Sequence, residues 1–180
     1  MKGLLISALT VFSLTSFAAD VDLAKSEFNW KGTKVTGEHT GKLKLKKASV
    51  KLNDKGLIES GTLVIDLNSL TVTDLSGEWA TKFLTHMKSD DFFNIAKFPE
   101  ATLVVKNDTG SKIKGILTIK GKSNPVEFSY KKSGSEYVGV LTFDRTKFDM
   151  IYGSGNYFKN LGDKMIHNEV TLNFKLVLNK

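Results

Sequence analysis

Apolar and polar residues alternate along most of this chain with a period of two. Phe28 and Trp30 alternate with Glu27, Asn29 and Lys31, and Leu43 and Leu45 alternate with lysines. Leu63, Ile65 and Leu67 alternate with Thr62, Val64 and Asp66. The spacing recurs at Leu103 and Val105, from Ile113 to Ile119, from Val126 to Tyr130, from Val138 to Phe143 and from Val170 to Leu178. Successive side chains of a strand point to opposite faces, so each run predicts a half-buried antiparallel strand. The breaks carry turn chemistry. Asn53-Asp54-Lys55-Gly56, Asn107-Asp108-Thr109-Gly110 and Lys132-Ser133-Gly134-Ser135 predict hairpins. Lys120 to Pro125 predicts a longer turn with Pro125 just ahead of a strand. About eight strands result, and an all-β meander of that size avoids open edges by closing into an antiparallel barrel. A two-sheet sandwich satisfies the same alternation.

Two segments break the pattern. Residues 76–88 place Trp79, Phe83, Leu84 and Met87 at helical spacing, with Ser76 in position to cap and Glu78 in the first turn. Residues 89–99 carry Phe92, Phe93 and Phe98, too aromatic for a solvated loop. Together they predict a short helix and an aromatic loop packed over one end of the barrel. From Ile151 to Ile166, three glycines alternate with Tyr152, Tyr157, Phe158 and Leu161, which predicts a second packed loop. No repeat, low-complexity tract or linker divides the chain.

The N-terminus changes the picture. Met1-Lys2 is followed by an apolar run from Gly3 to Phe17, with small residues at Ser16 and Ala18. This is the pattern of a secretory signal peptide cleaved after Ala18, leaving a single domain over residues 19–180 in the periplasm or outside the cell. The run is shorter than the ~20 residues of a membrane span. The absence of cysteine excludes disulfides, thiolate chemistry and a lipoprotein anchor. The net charge of +7 comes from lysines spread along the strands, as on the wet face of a sheet. No basic cluster with aromatic platforms points to nucleic acid.

Candidate chemistry is sparse. The sequence has no nucleophile elbow, zinc-protease motif, phosphate loop or dinucleotide fingerprint. His39, His86 and His167 lie in separate segments without paired spacing, so neither a metal site nor a cofactor is expected. His86 is expected to bond backbone or the Asp90/Asp91 pair and so fix the cap. Arg145, the sole arginine, follows Asp144, which suggests an ion pair fixing the bend before Phe148.

The segment from His86 to Thr102, HMKSDDFFNIAKFPEAT, resembles the YceI-like family, with Leu103 standing where an aromatic residue is usual. Further matches follow in order: Gly115-Ile116-Leu117-Thr118-Ile119-Lys120-Gly121 with Pro125-Val126, then Phe143-Asp144-Arg145-Thr146-Lys147-Phe148, then the tail from Val170 to Leu178. The resemblance implies a lipocalin-like barrel, a periplasmic or secreted location and an elongated apolar cavity. It also implies ligands of the polyisoprenoid, isoprenoid-quinone or long fatty-chain class; the lack of catalytic motifs separately favours a binding protein over an enzyme. The expected wall is Trp30, Leu63, Ile65, Val105, Ile116, Phe143 and Phe148. The expected cap is Trp79, Phe83, His86, Met87, Phe92, Phe93 and Phe98. A solid core, in which these side chains simply touch one another, is the competing arrangement. The alternatives in function are a lipid-acting enzyme using His86 or Asp144, and a basic module docking on anionic membranes. Transient membrane contact and pairing of two barrels stay open.

Overall fold

The computed structural model describes residues 17–179. Apart from Phe17 and Ala18, the expected signal peptide lies outside the described residues. Among the described residues nine strands follow one another: β1 (Phe17–Ala19), β2 (Glu27–Lys34), β3 (Gly37–Leu52), β4 (Ile58–Asp66), β5 (Glu100–Asp108), β6 (Lys112–Ile119), β7 (Lys122–Ser133), β8 (Glu136–Asp144) and β9 (Ile166–Val177). One α-helix, α1 (Gly77–Lys88), stands between β4 and β5.

Eight of the strands close a barrel. Neighbours run antiparallel in the order β3-β2-β9-β8-β7-β6-β5-β4, and β4 pairs back onto β3. β3 is long enough to serve two lanes. Its first half pairs with β2 and its second half with β4. Short β1 adds to the distal part of β3, where Val21 also bridges to Leu178. The lane between β3 and β9 is thus filled by β2 at one end and by residues 17–21 at the other.

The ends of the barrel differ in kind. At the far end, tight hairpins join β3 to β4, β5 to β6 and β7 to β8. Gly56, Gly110 and Gly134 take the positive φ these turns need. At the capped end lie α1, residues 89–99 and residues 145–165, together with two short links. One of these corrects the expected long turn. Lys120 and Gly121 alone make it, both at positive φ (50° and 72°), and Pro125 lies inside β7 opposite Ile116. β8 pairs with β7 only from Ser129 onward, so a residue without an N–H interrupts no ladder on that side.

Helix α1 begins where the sequence places it, with Ser76 at the N-cap position, but the Ser76 hydroxyl makes no capping bond. Glu78 pairs with Lys82 one turn on, at 2.6 Å. Phe83, Leu84, His86 and Met87 are half-buried, whereas Ser76 to Trp79 stand in solvent. The helix therefore rests on the barrel through its later turns. The loop after it is packed, with Phe92 and Ile95 buried. The loop from Ile151 to Ile166 is packed only in part: Gly153 and Ser154 are buried, while Tyr157 and Phe158 are exposed.

Candidate functional site

The inward positions of the strands fall into two sets. Toward the far end, Val50, Ile58, Val105, Ile113, Tyr137 and Leu176 are fully buried against one another. Toward the capped end, Trp30, Leu43, Ile65, Ala101, Leu117, Leu141 and Leu172 surround a cavity of about 320 Å³. The change comes at one level around the barrel. One inward step further from the cap, Phe28, Leu45, Leu63, Leu103 and Phe174 no longer border the cavity. The barrel is hollow in one half and solid in the other.

The lid side of the cavity is aromatic. The Phe83 ring stacks on Trp30 at 6.0 Å with 9° between planes, and meets the His39 ring at 4.6 Å. Trp30 is itself fixed, since its indole N–H donates to the Thr71 carbonyl at 3.0 Å. That contact requires glycine at position 41, because a Cβ there would lie 1.9 Å from the Thr71 oxygen and 2.6 Å from the indole nitrogen. The segment carrying Thr71 runs beside β3, with the Thr71 and Thr73 amides donating to the Lys42 and Thr40 carbonyls. His86 stands edge-on to Phe92 (5.1 Å) and Tyr152 (4.6 Å), so helix, aromatic loop and the 145–165 segment meet at one imidazole.

All three histidines border this one cavity, a convergence that their separation in sequence hides. Each has its own partner. His39 Nδ1 lies 2.7 Å from Asp74, His86 Nε2 lies 3.0 Å from Asp91, and His167 Nδ1 lies 2.8 Å from the Thr33 hydroxyl. Burial pushes the Asp74 carboxyl up, but hydrogen bonds from the Thr40 amide and from His39 outweigh it and leave the group below its ordinary value. Among the described residues, no group of three or more His, Cys, Asp or Glu is placed to hold a metal ion.

Arg145 departs from expectation. Its guanidinium makes no ion pair with Asp144, whose carboxylate instead accepts from the Thr146 amide (2.9 Å) and hydroxyl (2.7 Å) at the start of a 3-10 turn, Arg145–Phe148. Arg145 turns inward, 2% exposed, and donates to three main-chain carbonyls: Met150, His167 (3.1 Å) and Ile166 (3.1 Å). Burial lowers its pKa, and the nearby Asp144 charge opposes that. Arginine's fork suits this role because one planar group reaches several carbonyls. It ties the 145–150 turn to the first residues of β9, with Phe92 above it at 5.9 Å. Lys120 makes a matching tie. Its buried ammonium donates to the Asp90 (2.5 Å) and Asp149 (3.0 Å) carbonyls, joining the aromatic loop to the 145–165 segment.

Of the expected wall and cap, Trp30, Ile65, Phe83, His86, Met87, Phe92, Phe93 and Phe143 border the cavity. Leu63, Val105, Ile116, Phe148, Trp79 and Phe98 do not. Leu63 and Val105 point inward but at or below the cavity floor, in the solid half. Ile116 is out of phase with inward Leu117 and Ile119. Phe148 is buried behind the wall, its ring edge-on to Phe143 at 5.6 Å. Phe98 packs over Gly121 on the cap's outer side, and Trp79 is 72% exposed under the Lys82 ammonium. Leu43, Leu117, Leu141, Val170 and Leu172 were not expected as wall, although parity from Phe143 along β8 reaches Leu141. Arg145, Met150, Tyr152, Ile166 and His167 had no such signal.

Comparison with known proteins places this geometry. UPF0312 proteins of Staphylococcus aureus (strain USA300) and Yersinia enterocolitica are 35% identical over 74 residues and 40% identical over 53 residues. These stretches cover 35% and 27% of this chain, and only 43% and 28% of the relatives. Burkholderia cenocepacia BcnA has the same architecture, with a TM-score of 0.69 at 28% identity over 89% of this chain and all of its own. A polyisoprenoid binding domain from Saccharophagus degradans shares the fold at a TM-score of 0.60 and 18% identity, covering 90% of this chain and 97% of that one. The profile of the YceI-like domain matches residues 19–178, and the chain belongs to that family.

Proposed function

We propose that this protein binds lipid, holding the apolar part of an amphiphile in the hollow half of the barrel and acting as a carrier or reservoir outside the cytoplasm. The observation that carries the reading is the cavity of about 320 Å³ with carbon-rich walls and polar groups at its rim. A pocket of ~300–1,000 Å³ is of the size that encloses a small ligand. Burial of apolar surface is worth about 25 cal/mol per Å², so such a site needs few polar contacts for affinity. The S. degradans domain, whose fold this chain shares, is a polyisoprenoid binder. Trp30, Ile65, Phe83, Met87, Phe92, Phe93 and Phe143 are the proposed ligand contacts, with His86 beside the headgroup. Cleavage after Ala18 would remove Phe17 and Ala18 from β1 and leave Ala19 opposite Val50 and Val21 opposite Leu178 in that part of the lane.

A binding role also accounts for the polar groups better than catalysis. The Asp144 carboxylate caps a turn, and the Ser89 hydroxyl donates to the His86 carbonyl oxygen, not to its ring.

The two tryptophans provide the test. Trp30 faces the cavity and Trp79 faces solvent. In a Trp79→Phe variant, titration with a polyprenyl alcohol or quinone should change Trp30 emission saturably, and native mass spectrometry should show one added ligand. A bare protein mass together with unresponsive Trp30 emission would overturn the reading.

A further inference from the structure

The position of the cavity floor limits the length of ligand that fits. Along β9 the cavity is bordered from Ile166 down to Leu172, and Phe174 is the next inward residue. Strands rise ~3.3 Å per residue, so the bordered stretch is about 20 Å of strand. Barrel strands tilt by ~35–45°, which makes the depth along the axis about 15 Å.

The floor is built, not incidental. Phe174 lies across the position left open by Gly139 on β8, where a Cβ would stand 2.7 Å from the ring tip. Phe128 of β7 meets Phe174 edge-on at 5.5 Å. Beneath them Tyr137 and Ile58 are each 1% exposed, so the space below is filled by packed side chains.

We infer that this protein is a length-selective binder of short-tailed amphiphiles, with room for about 12 chain carbons, the main-chain length of a farnesyl group. A C–C bond of ~1.5 Å at a tetrahedral angle advances a chain by about 1.25 Å, which sets that number over the depth available. Longer tails bind only by leaving their remainder outside, where it gains nothing from the barrel. The inference rests on the lipid-binding reading and narrows it to one class of ligand.

The experiment is a chain-length series read by Trp30 fluorescence in Trp79→Phe, using 1-alkanols of increasing length together with farnesol and geranylgeraniol. Affinity should rise about fourfold per added methylene, the fold-change equivalent of ~0.8 kcal/mol per buried CH₂, and then stop rising near the filling length. Phe174→Ala should move the break to longer chains. Ala101→Leu, which fills the cavity and leaves the floor intact, should move it to shorter ones and keeps the test valid if the first variant does not fold. A steady rise past about 18 carbons, or a break that Ala101→Leu leaves in place, overturns the length limit alone. Failure of every chain length to bind overturns the limit and the lipid-binding reading together.

Discussion

The two halves of this barrel are built from the same strands, yet they handle their interiors in opposite ways. In the far half the inward side chains are β-branched, leucine, phenylalanine and tyrosine residues in mutual contact. Even the polar groups there are stitched together. The Tyr130 hydroxyl donates to both Asp108 oxygens at 2.7 and 2.8 Å, and Asp108 also accepts from the Ile58 and Gly110 amides. Burial first, and then that hydrogen bond, raise the Tyr130 pKa well above its ordinary value. In the capped half the same alternation of residues surrounds open space, and the polar groups work at the rim, tying lid segments to one another. The difference teaches that inward-facing and apolar does not mean ligand-facing. The far half holds the barrel together, which allows the capped half to stay open.

This contrast can be broken most directly by truncating one side chain in each half. Ile58→Ala should cost ~2–5 kcal/mol, because it opens a new void in a close-packed region. Leu172→Ala, bordering space already open, should cost about half as much, since little further void is created. Equal costs in denaturant unfolding would mean that the halves do not differ in packing.

Arg145 tests how the capped half is supported. Arg145→Ala leaves three carbonyls without their donor, and at the low end of ~1–3 kcal/mol for each unsatisfied group the loss should be about 3 kcal/mol in thermal unfolding. Arg145→Lys should recover only part of it, because a point charge cannot reach the carbonyls that the fork does.

The lid should matter less for stability than for ligand retention. Phe83→Ala removes the stack on Trp30, worth ~0.5–1.5 kcal/mol for an aromatic pair, and should speed ligand release while the barrel stays folded. Stopped-flow displacement compared with the melting temperature separates the two effects.

The smallest effect is at the rim. A carboxyl held below its ordinary value stabilises the fold above that value, and the contribution disappears as pH falls through the lowered one. The Asp74 contribution should therefore be intact above its ordinary value of 3.8 and fade below it. Asp74→Asn should flatten that part of the pH–melting curve, and an unchanged curve removes Asp74 from the account of how the lid is held.

Much of the fold is legible in the chain. Period-two alternation marks the eight barrel strands, the Asn/Asp/Gly clusters mark the far-end hairpins, and the helical spacing of Trp79, Phe83, Leu84 and Met87 marks the lid, although Trp79 itself stands in solvent. Some of the cavity wall is legible too. Ile113, Leu117 and Ile119 share a parity, and Ile116 breaks it, so the inward set of β6 follows from counting alone. The errors have different causes. The Lys120-Gly121 turn is shorter than its run of polar residues suggests because both residues adopt positive φ. Arg145 and Asp144 point to opposite sides because a 3-10 turn starts between them.

The sequence by itself determined which face is apolar for most of the strands, because a strand's side chains alternate by geometry that any stretch of chain carries locally, although β8 carries Val138 and Val140 on its exposed face as well. Only the tertiary structure decided which inward residues fill the barrel and which surround open space. That depends on how far along the axis each strand sits beside its neighbours, and on where rings such as Phe174 come to lie. Both are set by register and packing between residues distant in sequence. The same is true of the three histidines, which only closure of the barrel brings to one rim.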